Sequence, residues 1–462
     1  MSNPGEIDAT PITDRRQLAA WLEAGGKPRE AWRIGTEHEK FGFHLADLAP
    51  PAYEPAGIGA VLAGFERAGW APILDRGRMI GLKGGAARDE ASISLEPGGQ
   101  LELSGGLLPD LHATGREMAT HFAEMHDAAD ALGLGFAALG FHPQARRVEM
   151  PWMPKSRYAI LRRYMPARGA LGLDMMLRTC TVQVNLDYGS EADMVQKLRV
   201  ALALQPLATA LFANSPFTEG RPNGFLSYRA HIWTDTDPDR TGIPPVFFED
   251  GFGFERYVDW VLDVPMYFIQ RDGGFIDLAG RSFRRFLETG LDEVPGERAV
   301  VGDFADHLTT VFTDVRLKRF LEMRGADAGT PAMMLAQSAL WTGLLYDGAA
   351  LAAAAALIRA HPWQDFVALR AAVPRSGLAA PWPTPARPEG TLRDLAREVV
   401  AIAKDGLRAR ARLAADGVDE RQFLAPLEDI VAGGPTQAEH WLARYDTAWQ
   451  GETREIFRES RL

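Results

Sequence analysis

Glutamates recur in this chain at spacings that would bring several carboxylates together. In RIGTEHEKFGF, Glu37 and Glu39 stand two residues apart, so on a strand both side chains leave the same face, roughly 7 Å from one another. Two carboxylates there repel unless a cation lies between them. In ISLEPGGQLELS, Glu96 and Glu102 flank a Pro97-Gly98-Gly99 turn, and the hairpin this turn predicts brings them near one another on its polar face. Glu322 in FLEMRGAD is followed by Arg324, which a strand would put on the same side. Any one of these pairs also fits a solvated surface. Together the carboxylates offer hard oxygen ligands, which select Mg²⁺ over zinc or copper, and Mg²⁺ bound this way keeps positions for substrate phosphates. The chemistry expected is phosphoryl transfer from a nucleotide.

A substrate carboxylate would need cationic partners, and guanidinium groups bind carboxylates in a bidentate fork. Arg157 in MPWMPKSRY and Arg229 in GFLSYRAHIWTDTD stand in distinctive settings, although a surface role remains open for each. Other signatures fail. The chain has no GxxxxGK[ST], HExxH or GxSxG motif. DTDPDRTG imitates a calcium loop at Asp235, Asp237 and Asp239, but Arg240 stands where glycine is needed and Val246 where glutamate is needed. GLGFAALG lacks the glycine spacing of a dinucleotide fingerprint and reads as a turn entering a strand. A nucleotide would be held outside the P-loop and Rossmann schemes.

Strands and helices must position these groups. From Thr179 to Asp187 the chain reads TCTVQVNLD, with Cys180, Val182, Val184 and Leu186 on one face and Thr179, Thr181, Gln183 and Asn185 on the other. This period of two predicts a half-buried strand. Ser190 with Asp193 predicts a capping box, followed by Met194, Val195, Leu198, Ala201 and Leu202 at helical spacing. Leu392, Leu395, Val399 and Ile402 make another helical face, Trp441, Tyr445 and Trp449 a third that reads as core, and the alanine-rich 349–356 a further helix. The proline-rich 376–390 reads as a loop. Strand signals dominate the first half and helical ones the second, with a changeover near residues 280–300, so an α+β protein is expected.

At 462 residues, with 46% hydrophobic and 24% charged, the composition is that of a folded globular protein. Lys plus Arg number 50 against 61 Asp plus Glu, a formal charge of −11, which gives a polyanion such as nucleic acid little to bind. The amino-terminal MSNPGEIDATPITDRR carries no apolar or basic leader, and no run of about 18 apolar residues occurs. No membrane is expected, and a cytoplasmic location is. Cys180 is the only cysteine, which excludes an intrachain disulfide and reads as buried filler.

IGTEHEKFGF, SLEPGGQLELSG, MPWMPKSRY, LGLDMMLRTCTVQVNLDY, LALQPLATALFANSPF, HIWTDTDPDRTG, DVPMYF and RLKRFLEMRGAD, in this order, resemble the plant and alphaproteobacterial type of glutamate–cysteine ligase from about residue 30 to about residue 450. The resemblance implies a cup-shaped antiparallel sheet surrounded by helices, related to glutamine synthetase. That fold would be one catalytic domain over 1–462, sheet-rich in 30–290 and mostly helical in 291–462. It implies Mg²⁺ on Glu37, Glu39, Glu96, Glu102 and Glu322, and recognition of the glutamate carboxylate by Arg157 and Arg229. Tyr267 in DVPMYF falls at the pocket for the cysteine side chain. Gln183 and Asn185 fall where groups are presented to substrate and phosphates, and Arg324 where ATP phosphate is contacted. The implied reaction joins the γ-carboxylate of L-glutamate to the amine of L-cysteine through a γ-glutamyl phosphate at the expense of ATP. It is the first step of glutathione biosynthesis, carried out by a monomer or homodimer. The resemblance names no base for the amine proton. Plant members are regulated by disulfides, which a chain with only Cys180 cannot form internally. Three rivals stay open: a glutamyl ligase taking another amine, the same bond made for a thiol pathway other than glutathione, and a silent protein that binds glutamate or nucleotide.

Overall fold

The computed structural model describes residues 7–462; the first part of the amino-terminal stretch, residues 1–6, lies outside it. Its frame is one antiparallel sheet of nine strands. In chain order these are β1 (Ile34–His44), β2 (Ala71–Asp75), β3 (Arg78–Lys83), β4 (Ser92–Leu95), β5 (Leu101–Ser104), β6 (Leu134–Ala137), β7 (Thr181–Leu186), β8 (Val315–Leu317) and β9 (Leu321–Asp327). Across the sheet the order is β8-β9-β7-β1-β5-β4-β3-β2, with β6 on the far half of β1. The 11-residue β1 is the spine: its first half pairs with β7 on one side and β5 on the other, while Phe41 to His44 pair with β6.

One face of the sheet is apolar. Ile34, Val182, Val184, Leu186, Leu321 and Met323 are fully or almost fully buried and share a core cluster with Leu198, Leu202, Leu340 and Trp341. The last four lie on two helices, α2 (Glu191–Leu211) and α3 (Pro331–Leu345); a third, α1 (Leu111–Ala129), packs beside them, Met125 joining Leu101 and Leu103 of β5. Both α2 and α3 are apolar nearly all round, because each lies between the sheet and further helices such as α4 (Leu392–Arg410). Ser190 caps α2 as expected, accepting from the Asp193 amide, but the Asp193 carboxylate reaches Gly189 N rather than Ser190 N, so the box is half formed. Among the described residues no single helix is long and apolar enough to cross a membrane.

The PGG turn forms as the sequence predicts: Gly99 adopts φ +86°, and a Cβ on Gly98 would come within 2.3 Å of Leu177 O, so both positions require glycine. Gly133 at φ +65° turns the chain into β6, the role read from GLGFAALG. The expected changeover near 280–300 is not clean. β8 and β9 come after it and complete the sheet, while α1 and α2 come before it, because an antiparallel edge can be closed by a hairpin from any part of the chain. The aromatic stripe is also only partly helical: the helix Gln437–Asp446 stops before Trp449, which nevertheless stacks on Trp441 at 5.8 Å between ring centroids. Cys180 is buried in the same cluster as Phe41, Phe43 and Trp441.

Candidate active site

Strand register gathers the polar side chains on the other face of the sheet. Glu37 lies opposite Gln183 of β7 and Ser104 of β5, and Glu39 lies opposite Glu102, itself opposite Ser94 of β4. Glu322 of β9 lies opposite Asn185 of β7 and Arg316 of β8. The alternation that buries one face therefore places Glu37, Glu39, Glu102, Glu322, Gln183 and Asn185 on a single surface. Glu96 stands at the hairpin end beside them, its amide donating to Gln100 O at 2.9 Å.

Glu37, Glu39, Glu102 and Glu322 have local donors. Asn185 Nδ2 donates to Glu37 Oε1 at 2.8 Å and Gln183 Nε2 to Glu37 Oε2 at 3.2 Å. Thr181 N donates to Glu39 Oε2 at 2.7 Å, and Ser94 Oγ to Glu102 Oε2 at 2.9 Å. Glu322 has the densest set: Arg316 at 2.6 Å, Lys318 at 2.9 Å and Arg324 in closer contact still. Arg324 also meets Gln183 Oε1. Burial alone would raise Glu322, but Arg316, Lys318 and Arg324 hold it well below the usual carboxylate range. The opposite holds nearby. Burial, then Glu322 and Glu102, raise Glu37; burial, then Glu96 and Glu102, push Glu39 well above its ordinary value, against Arg229 and the Thr181 amide. Burial also raises Glu96, against Lys155 and Arg157.

Burial and the neighbouring carboxylates disfavour charge on Glu37 and Glu39, and burial alone does so on Glu96, which has Lys155 and Arg157 nearby. The donor set suits a hard divalent cation: carboxylate oxygens only, with Glu96 Oε1 buried and lacking any hydrogen-bond partner. Among the described residues, however, no three acidic, histidine or cysteine side chains converge closely enough to enclose a metal. The reason lies in the contacts just given: the carboxylates are drawn apart, Glu322 to its arginines, Glu37 to two amides and Glu102 to Ser94 and Ser104.

The cationic wall is built by two loops. MPWMPKSRY is latched to the PGG hairpin, with Met153 N on Pro97 O at 2.9 Å and Tyr158 Oη on Leu95 O at 2.6 Å. This places Arg157, 7% exposed, at the start of the helix Arg157–Tyr164 and beside Glu96. Arg229 sits in the one-turn helix Tyr228–Ile232, capped by Ser227. Its Nη2 donates to Arg324 O at 2.8 Å, and Nη1 lies 3.9 Å from Asp327, a buried carboxylate held by Ser215 and Ser227 at 2.6 and 2.8 Å. Between β7 and β9 a bulge separates Met323 from Ala326, turning Arg324 into the cleft. A Cβ on Gly325 would lie 2.1 Å from Gln205 Oε1, which accepts from the Gly325 amide at 2.8 Å, so a larger residue would displace that side chain.

A cavity of about 100 Å³ joins these walls; its lining includes Glu37, Glu39, Glu96, Glu102, Arg157, Gln183, Arg229, Tyr267 and Arg324. Asn185 and Glu322 stand behind that lining, touching it through Glu37 and Arg324. Sequence reasoning missed Arg316, Trp233, Thr310 and Phe312, which line it too. For Arg316 a signal existed, since DVRLKRF alternates Arg316 and Lys318 with apolar residues; the others sit in short irregular segments with no periodicity.

The antiparallel sheet that carries this carboxylate-lined face has a fold found in a ligase of known structure. The structure matches that of a glutamate–cysteine ligase from Francisella tularensis in complex with AMP, with a TM-score of 0.58 and 12% identity over 94% of this chain and 88% of that one. Residues 33–459 match the sequence model of Glutamate-cysteine ligase family 2 (GCS2), and the chain belongs to that family. It is 49% identical over 454 residues to the chloroplastic glutamate–cysteine ligase of Brassica juncea, covering 98% of this chain and 85% of that protein. Against the chloroplastic glutamate–cysteine ligase B of Oryza sativa subsp. japonica the figures are 48% over 462 residues, 99% and 90%.

Proposed function

We propose that this protein is an ATP-dependent glutamate–cysteine ligase, making γ-glutamylcysteine for glutathione synthesis. The observation that carries the reading is the convergence, in one cavity, of Glu37, Glu39, Glu96 and Glu102 with Arg157 and Arg229. In this reading Arg157 and Arg229 bind the α-carboxylate of glutamate and leave its side-chain carboxylate directed at the acidic row. Glu37, Glu39, Glu96, Glu102 and Glu322 would hold Mg²⁺, which would supply positive charge to offset that of the phosphates. Arg324, fixed by Glu322 and Gln183, contacts the transferred phosphate.

A side-chain oxygen of glutamate attacks the terminal phosphorus of ATP and ADP leaves, giving the γ-glutamyl phosphate. The amine of cysteine then adds to the acyl carbon, phosphate departs and the amine loses its proton. Gln183 and Asn185 present amide groups to substrate and phosphates, and Tyr267 faces the cysteine side chain. Every group named in this scheme lies on one chain, and the protein acts as a monomer or a homodimer.

We read the compartment as the cytoplasm; the relatives named above are chloroplastic, and cell fractionation separates the two. The experiment that tests the reaction places a heavy-oxygen label in the side-chain carboxylate of glutamate. Label recovered in inorganic phosphate supports the acyl phosphate; unlabelled phosphate, formed alongside γ-glutamylcysteine, contradicts it.

A further inference from the structure

The DTDPDRTG run, which looks like a failed calcium loop in sequence, folds behind one wall of the cavity. Arg240 and Asp237 are both 0% exposed. Arg240 Nε donates to Asp237 Oδ2 at 2.7 Å, Nη2 to Pro265 O at 2.6 Å and Nη1 to Thr310 O at 3.2 Å. Its guanidinium carbon lies 3.8 Å from the centroid of the Tyr267 ring, and Tyr267 Oη donates to the same Asp237 oxygen at 3.1 Å. Arg168 approaches Asp237 from the outer side at 3.6 Å. The backbone joins the same assembly, since Phe312 N donates to Arg240 O at 2.8 Å.

One buried ion pair thus holds the ring face and the hydroxyl of Tyr267, the residue two before it, and the segment carrying Thr310 and Phe312. Tyr267, Thr310 and Phe312 all line the cavity. A buried ion pair is in general no more stable than an apolar replacement of similar volume, so its presence invites a role beyond stability. What the guanidinium offers is a rigid planar fork that bonds in three directions while stacking on a ring, which lysine cannot reproduce.

We propose that Arg240, oriented by Asp237, is a positioning residue that fixes Tyr267 and Phe312 as a rigid wall of the acceptor pocket, and so sets discrimination among amine substrates by side chain. This rests on the reading above that Tyr267 faces the cysteine side chain. In that reading glutamate and nucleotide meet Arg157, Arg229 and Arg324, of which Arg324 lies 5.9 Å from the Phe312 ring, so the largest effect of Arg240 should fall on the acceptor.

The test measures KM for cysteine, glutamate and ATP, with 2-aminobutyrate as a second acceptor, in Tyr267→Phe, Tyr267→Leu and Arg240→Lys. Arg240→Lys should raise KM for cysteine by about tenfold and shift the cysteine to 2-aminobutyrate ratio, while KM for glutamate and ATP stay within about twofold. In a Tyr267→Leu background, Arg240→Lys should add little further change. A rise in all three KM values together, with a lowered Tm, reduces Arg240 to a structural residue and overturns the proposal. If neither Tyr267 variant moves the KM for cysteine, the assignment of Tyr267 fails; if they move it and Arg240→Lys does not, the positioning role alone fails. Should Arg240→Lys not fold, Asp237→Asn takes its place, with the same split expected and the same result decisive.

Discussion

Replacing Arg229 by lysine should weaken glutamate selectively. Arg229 is 3% exposed and lines the cavity, with one amino group donated to Arg324 O and the other 3.9 Å from Asp327. Lysine keeps the charge but loses the planar fork that holds a carboxylate by two bonds. A hydrogen bond to a charged group contributes about 1.5–3 kcal/mol, which at about 1.4 kcal/mol per tenfold is a rise of roughly 10- to 150-fold in KM for glutamate. The fold should survive, because Asp327 retains Ser215, Ser227 and the Asn214 amide as donors, and the loss of stability should be near 1 kcal/mol. The assay is ADP release with each substrate varied in turn, alongside thermal unfolding. If KM for glutamate is unchanged while that for cysteine rises, Arg229 faces the acceptor and the assignment of the two carboxylate sites is wrong.

Glu39→Gln should lower turnover by at least about 100-fold yet stabilise the metal-free protein by about 1 kcal/mol, since Glu39 is buried against Glu96 and Glu102; a lower Tm without Mg²⁺ contradicts this. Glu37, Glu39 and Glu96 are all raised by burial, the first two further by other glutamates. Their favourable contribution is thus fully present below the unfolded value of about 4.3 and is lost as pH rises through the raised folded values. Mg²⁺ should therefore raise Tm more at pH 8 than at pH 5, with proton release on binding; a shift independent of pH sinks the idea that these carboxylates hold the cation. Trp441→Ala should cost about 3–5 kcal/mol, because Trp441 is buried and its indole donates to Asn214 at 2.7 Å. Urea unfolding measures it, and a cost below about 1 kcal/mol would mean the helix Gln437–Asp446 is not anchored there.

Much of the site was legible because strand geometry is periodic. The alternation in TCTVQVNLD and the spacing in TEHEK put Gln183, Asn185, Glu37 and Glu39 on one face, and the register observed between β1 and β7 is what the apolar face demands. The PGG turn likewise fixed Glu96 and Glu102 near one another, although the pairing of Glu102 with Glu39 is a tertiary fact. What local patterning could not reach were contacts between distant segments. Glu322 enters the sheet only because β9 pairs with β7, more than 130 positions earlier in the chain. Arg316 and Lys318 were legible as a pair but not as partners of Glu322. The dispersal of the carboxylates was also invisible: spacing gathers them, and only the structure has Arg316, Lys318 and Arg324 claiming Glu322. Arg240 is the sharpest case, since in sequence it counted only as the residue that spoils a calcium loop.

In the proposed reaction this cavity couples ATP to the joining of glutamate and cysteine. Purified protein with ATP and Mg²⁺ should release ADP in quantity only when glutamate and cysteine are both present, yielding a product with the mass of γ-glutamylcysteine, and Glu39→Ala should abolish it. ADP release with glutamate and a different amine, but none with cysteine, would leave the chemistry standing and contradict the substrate; no release with any amine would contradict the account itself.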